Sequence, residues 1–127
     1  MLLAEILYDH GVDLLDVSSG GAHPKQKVKA GFHAPAYQSE LSSQIKERVN
    51  DKLLIGTVGG IREAAVAEKL LAECVADVTL VGREFLRRPN LVWDWAEGLG
   101  VQVKLANQIE WGFYGRDSST REVFGEV

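Results

Sequence analysis

One cysteine, one methionine, three prolines and three histidines are all that 127 residues hold of those types. A single thiol, Cys74, can neither close an internal disulfide nor supply the clustered thiolates of a structural zinc site. The chain therefore does not depend on an oxidising compartment and reads as cytoplasmic. Excess positive charge is lacking as well. Fourteen Lys and Arg stand against eighteen Asp and Glu, for a formal charge of −4, so phosphate neutralisation gives no footing for nucleic acid. No apolar run approaches the roughly 20 residues of a membrane helix. The opening MLLAEILYDHG carries Glu5 and Asp9 and lacks the basic start of a signal peptide, so no membrane partner is expected. His23 and His33 sit in a loop without cysteines or carboxylates at ligand spacing, and no metal site is assigned. What remains, 46% hydrophobic and 25% charged, is the composition of an ordinary globular chain with length for one domain.

The pattern along the chain alternates. Leu3, Ile6 and Leu7 fall at helical spacing and are followed by Gly11, a common helix terminator. Asp13–Val17 is a short apolar run suited to a strand buried in a parallel sheet. Gly20–Pro35, with three glycines, two prolines and three lysines, reads as a long loop of the kind that often covers a functional site. Its basic residues Lys25, Lys27 and Lys29 read as a solvated face. Ser39–Val49 places Leu41, Ile45 and Val49 on one helical stripe.

A strand at Lys52–Val58 runs into Gly59-Gly60 and then into IREAAVAEKLLAECVAD, a run of helix formers in which Cys74 reads as a small buried residue. A third strand, Asp77–Val81, runs into Gly82-Arg83 and a short helical turn broken at Pro89. A further helix follows, on which Trp93 and Trp95 cannot share a face, so one is expected inside and one outside. Val101–Leu105 reads as a short strand, and residues 117–127 as a poorly ordered tail. The order α-β-α-β-α-β-α predicts an α/β fold built from parallel βα units.

Glycines placed where parallel strands end let backbone N–H groups approach an anion, and ligands of α/β sheets bind at that edge. Gly59, Gly60, Gly82 and Arg83 in successive βα units therefore read as a phosphate cradle, Arg83 supplying a bidentate guanidinium. Arg62 opposes the dipole of the helix it precedes, a local cost that hints at a ligand, although a solvated arginine is the plainer reading. Ser18-Ser19 reads as a turn cap.

The strings GVDLLDVSSGG, TVGGI, ADVTLVGREFLRRPNLV and QIEWGFYGR resemble the carboxyl-terminal portion of the old yellow enzyme family, flavin oxidoreductases built on a (β/α)₈ TIM barrel. The resemblance runs from about residue 2 to residue 116. It implies that residues 1–116 are a partial barrel, about three βα units carrying strands six to eight. It implies FMN as cofactor, NADPH as hydride donor and an activated alkene as substrate. It assigns the FMN phosphate to Gly59, Gly60, Gly82 and Arg83, the same four residues reached from the strand ends. The family's substrate-anchoring pair and tyrosine proton donor lie on earlier strands, so no catalytic residue is assigned in this chain. Trp111 stands where some relatives carry an arginine that reaches a neighbouring subunit.

Two other readings stay open on the sequence. Three barrel strands leave two open edges, which suits a noncatalytic module that self-associates or docks on another chain. The same cradle also suits a barrel fragment that binds a sugar phosphate.

Overall fold

The computed structural model describes residues 2–19, 23 and 34–114. The elements run α1 (Leu2–Asp9), β1 (Leu14–Val17), α2 (Ser39–Val49), a 3₁₀ turn (Asn50–Lys52), β2 (Leu54–Val58), α3 (Ala64–Ala72), β3 (Val78–Leu80), α4 (Arg83–Arg87), α5 (Leu91–Leu99) and α6 (Asn107–Tyr114). They group into two compact units, Met1–Leu91 and Val92–Val127. No helix among the described residues is long and apolar enough to cross a membrane.

The first unit is an α/β layer. Its three strands lie in the order β1-β2-β3, all parallel, as the alternating pattern predicts. Leu14 pairs with Leu54 and Val17 with Thr57, while Gly56 pairs with Val78 and Val58 with Leu80. Strand side chains alternate between faces, so Leu15, Val17 and Ile55 point one way. They form the core with Ala4 of α1, Ile45 and Val49 of α2, and Leu53 and Ala76. The opposite face is a different matter. Leu14 and Leu54, side by side in register, are 41% and 48% exposed, although parallel sheets are ordinarily covered on both faces.

An ion pair fastens the layer. Asp77, at the entry to β3, accepts from Lys46 Nζ of α2 with one carboxylate oxygen and from the Ile55 N–H of β2 with the other, both at 2.8 Å. Its own N–H donates to the Ile55 carbonyl at 2.8 Å. Burial pushes the Asp77 carboxyl up, but the Lys46 and Ile55 hydrogen bonds and the Lys46 charge outweigh it, leaving it below the usual 3.8. The hydrogen bond to Asp77 conversely holds Lys46 above 10.5, against the opposing effect of burial.

The structure corrects the sequence reading at several points. The helix after β2 ends at Ala72 rather than running to Asp77, because Cys74 takes a left-handed conformation (φ 54°). Cys74 is exposed there, not buried within a helix. In the second unit, residues 101–106 form no strand, since no neighbouring strand among the described residues supplies a ladder. Asn107–Tyr114, between the expected strand and the expected tail, forms α6, which the pattern did not announce, and Trp93 and Trp95 are each half-buried rather than divided between inside and outside. The interior of the loop at Gly20–Pro35, the basic residues Lys25, Lys27, Lys29 and His33, and the tail 117–127 lie outside the described residues.

Candidate functional site

β2 and β3 are parallel neighbours, so the turns that leave them emerge at one edge. There they enclose a cavity of about 250 Å³ lined by Val58–Arg62, Leu80–Glu84, Tyr37 and Arg87. All four residues predicted from the strand ends, Gly59, Gly60, Gly82 and Arg83, lie on its wall. Two residues that pattern reading did not assign to a site are there too: Tyr37, from the turn before α2, and Arg62, which had the plainer reading of a solvated arginine. Only the folded chain brings Tyr37 to the turn it covers.

The glycines do not share one reason. Gly59 (φ 106°) and Gly60 (φ 72°) adopt backbone conformations that L side chains rarely take. A Cβ on Gly59 would stand 2.5 Å from the Tyr37 ring, and one on Gly60 would stand 2.3 Å from the Ala34 carbonyl oxygen. The pair therefore lets segment 34–38 close down on the β2 turn. Gly82 has an ordinary φ of −109°, and a Cβ there would meet no described atom within 4 Å. What its missing side chain leaves is open space.

Segment 34–38 is itself held from below. Gln38 is 2% exposed; its Oε1 accepts from Ser19 Oγ at 2.9 Å, and its carbonyl accepts from Ser42 Oγ at 3.2 Å. Ser19, read as a turn cap, thus ties the end of β1 to the start of α2.

Charge in the cavity is sorted by Glu84. This carboxylate is buried and accepts from Arg88 Nε at 3.0 Å and Arg87 at 3.3 Å. A purely structural Arg83 would have been expected to pair with Glu84 or Glu63. Instead Glu84 is taken by the next two arginines, and Arg83 has no ion-pair partner among the described residues. Arg62 has none either, although the residue is half-buried. With α4 only five residues long, its dipole adds little, and the positive character of the cavity comes from guanidinium groups. Drug-sized ligands occupy pockets of about 300–1,000 Å³, so this one suits a compact oxyanion, such as the end group of a larger molecule. No group of three or more metal-ligating side chains occurs among the described residues.

Fold and cavity together define a parallel α/β protein with a cationic pocket at the carboxyl ends of its strands. No protein-family model matches the chain. Over 116 residues, 90% of its length, it is 52% identical to an NADH:flavin oxidoreductase of Gibberella zeae. Over 110 residues, 87% of its length, it is 34% identical to an NADPH dehydrogenase of a Geobacillus species. The chain spans only 27% and 31% of those two proteins. Over that stretch the chain is similar to a flavin oxidoreductase and to an NADPH dehydrogenase, consistent with the resemblance to the old yellow enzyme family drawn from its strings.

Proposed function

We propose that this chain is the carboxyl-terminal, cofactor-phosphate-binding part of an old yellow enzyme type (β/α)₈ barrel. Gly59, Gly60, Gly82 and Arg83 hold the phosphate of FMN. The observation that carries the reading is the cavity in which those four residues meet, with Arg83 unpaired among the described residues while Glu84 is engaged by Arg87 and Arg88. The exposed sheet face at Leu14 and Leu54 fits the same reading, as the inward face of a barrel whose other strands would cover it.

Bound there, FMN would supply hydride transfer from NADPH to the β-carbon of an activated alkene. This chain's own part is to anchor the phosphate: backbone N–H groups and the Arg83 guanidinium grip its oxygens, while Tyr37 and segment 34–38 close one wall. The substrate clamp and proton donor belong to the earlier strands of such a barrel, so the chain alone is expected to bind without turnover.

Binding is measured directly by titrating the purified chain into FMN and, separately, into riboflavin, following flavin fluorescence. FMN is expected to bind at least about tenfold tighter than riboflavin, since charge-assisted contacts to the phosphate are the difference. Arg83→Ala should remove most of that preference and leave riboflavin unaffected. Failure of the unmodified chain to bind FMN would overturn the reading. Binding of a sugar phosphate as tightly as FMN would favour the sugar-phosphate alternative.

The open sheet face and the edges at β1 and β3 also support a second reading, a noncatalytic module that self-associates. Sedimentation decides it: a monomer at working concentration removes this reading.

A further inference from the structure

We propose that Arg62 is a second phosphate-gripping cation in the cavity, and that Glu84 and Arg88 form a positioning pair that holds it there. The inference rests on the reading of the cavity as a phosphate site and goes beyond it, because none of these three residues belongs to the predicted cradle.

The first observation is an uncompensated charge. Arg62 lines the cavity wall and is half-buried, whereas Arg83 is exposed. A charged residue drawn partly out of water without an anion is unfavourable, and a carboxylate normally accompanies it. None does so among the described residues. Glu84, the buried carboxylate on the same wall, is engaged by Arg87 and Arg88. A ligand anion is the partner that would balance Arg62.

The second observation is the way Arg62 is held. Arg88 donates through Nε to Glu84 at 3.0 Å and through Nη2 to the Arg62 carbonyl oxygen at 3.0 Å. One guanidinium thus joins the buried carboxylate of α4 to the backbone of the turn that follows β2. The contact fixes the main chain at residue 62, and the Arg62 side chain makes no hydrogen bond or ion pair among the described residues. The two turns of the cavity are locked at a set spacing, with Arg62 on one and Arg83 on the other. A pair of guanidinium groups on opposing turns suits a phosphate monoester, which carries close to two negative charges at neutral pH. A phosphodiester or an uncharged flavin presents less charge to such a pair.

The test uses the whole chain and titrates FMN and riboflavin into Arg62→Gln, Arg62→Lys, Arg88→Met and the double variant Arg62→Gln/Arg88→Met. Arg62→Gln is expected to weaken FMN about tenfold with riboflavin unchanged, and Arg62→Lys to recover part of the loss. Its melting temperature should match that of the unmodified chain, because the side chain holds nothing else in place. Arg88→Met should weaken FMN several-fold on its own yet add nothing to Arg62→Gln, the non-additivity expected when one residue acts through another. If Arg62→Gln binds FMN like the unmodified chain while Arg83→Ala does not, the role of Arg62 is overturned and the phosphate reading stands. Full additivity of Arg88→Met with Arg62→Gln overturns the positioning role. If the unmodified chain does not distinguish FMN from riboflavin, the phosphate reading itself falls, and this proposal with it.

Discussion

Replacing Asp77 by alanine is expected to destabilise the first unit by about 2–4 kcal/mol in urea unfolding near neutral pH. Two losses add. The Ile55 N–H belongs to a residue with no exposed surface and would lose its acceptor with no water in reach. Lys46, whose side chain is 14% exposed, would keep its charge with only Asp51 at 3.6 Å, a carboxylate fully in solvent. Asp77→Asn should cost less, because an amide oxygen can still accept from Ile55 while the ion pair alone is lost.

The pH dependence has a definite sign. Asp77 is held below 3.8 in the folded chain, so its contribution is fully present above about that value. It fades as pH falls through the lower folded value. Lys46 is held above 10.5, so its contribution is present below that value and fades as pH rises through the raised one. The stability gap between the unmodified chain and Asp77→Ala should therefore stay level across the neutral range and narrow at both extremes, where the ion pair is lost and the Ile55 hydrogen bond remains. A gap that persists unchanged in acid well below pH 4 would show that the carboxylate charge is not what holds these elements together.

Gly60→Ala is expected to cost about 2–5 kcal/mol, from a left-handed conformation worth roughly 1–2 kcal/mol and overpacking worth roughly 1–3 kcal/mol. The collision is with backbone, the Ala34 carbonyl oxygen 2.3 Å from the new Cβ, so no side-chain rotation relieves it. Segment 34–38 must lift, taking Tyr37 away from Gly59 and opening the cavity wall. Gly82→Ala is the contrast, since φ is ordinary there and the Cβ meets open space, and its stability should stay within about 0.5 kcal/mol. The two variants measured side by side in thermal unfolding separate a glycine required by the fold from one that is not. Equal destabilisation by both would contradict the distinct surroundings of the two turns.

Much of this architecture was legible before any coordinates. Apolar runs bounded by glycine marked three strands, period-3.6 stripes marked α1 and α2, and the βα order made the sheet parallel. The strand ends in turn placed Gly59, Gly60, Gly82 and Arg83 on one edge. These signals are local, or follow from a connectivity rule, and local signals survive in a linear string. The errors have the opposite character. Nothing in AAVAEKLLAECVAD announces that the helix stops at Ala72, because Asp77 is recruited to Ile55 and Lys46, partners 22 and 31 residues away. Val101–Leu105 has the composition of a strand, but a strand exists only where another offers a ladder.

The sequence by itself determined the class of fold, the parallel sense of the strands and the edge where the candidate site lies, because periodicity and chain order carry that information. Only the tertiary structure decided which arginine is free and why each glycine is there. Among the described residues Arg83 and Arg62 have no ion-pair partner, while buried Glu84 engages Arg87 and Arg88. Gly59 and Gly60 are small because Tyr37 and Ala34 lie against them. Those are facts about distances between residues far apart in the chain, and no spacing in the string encodes them.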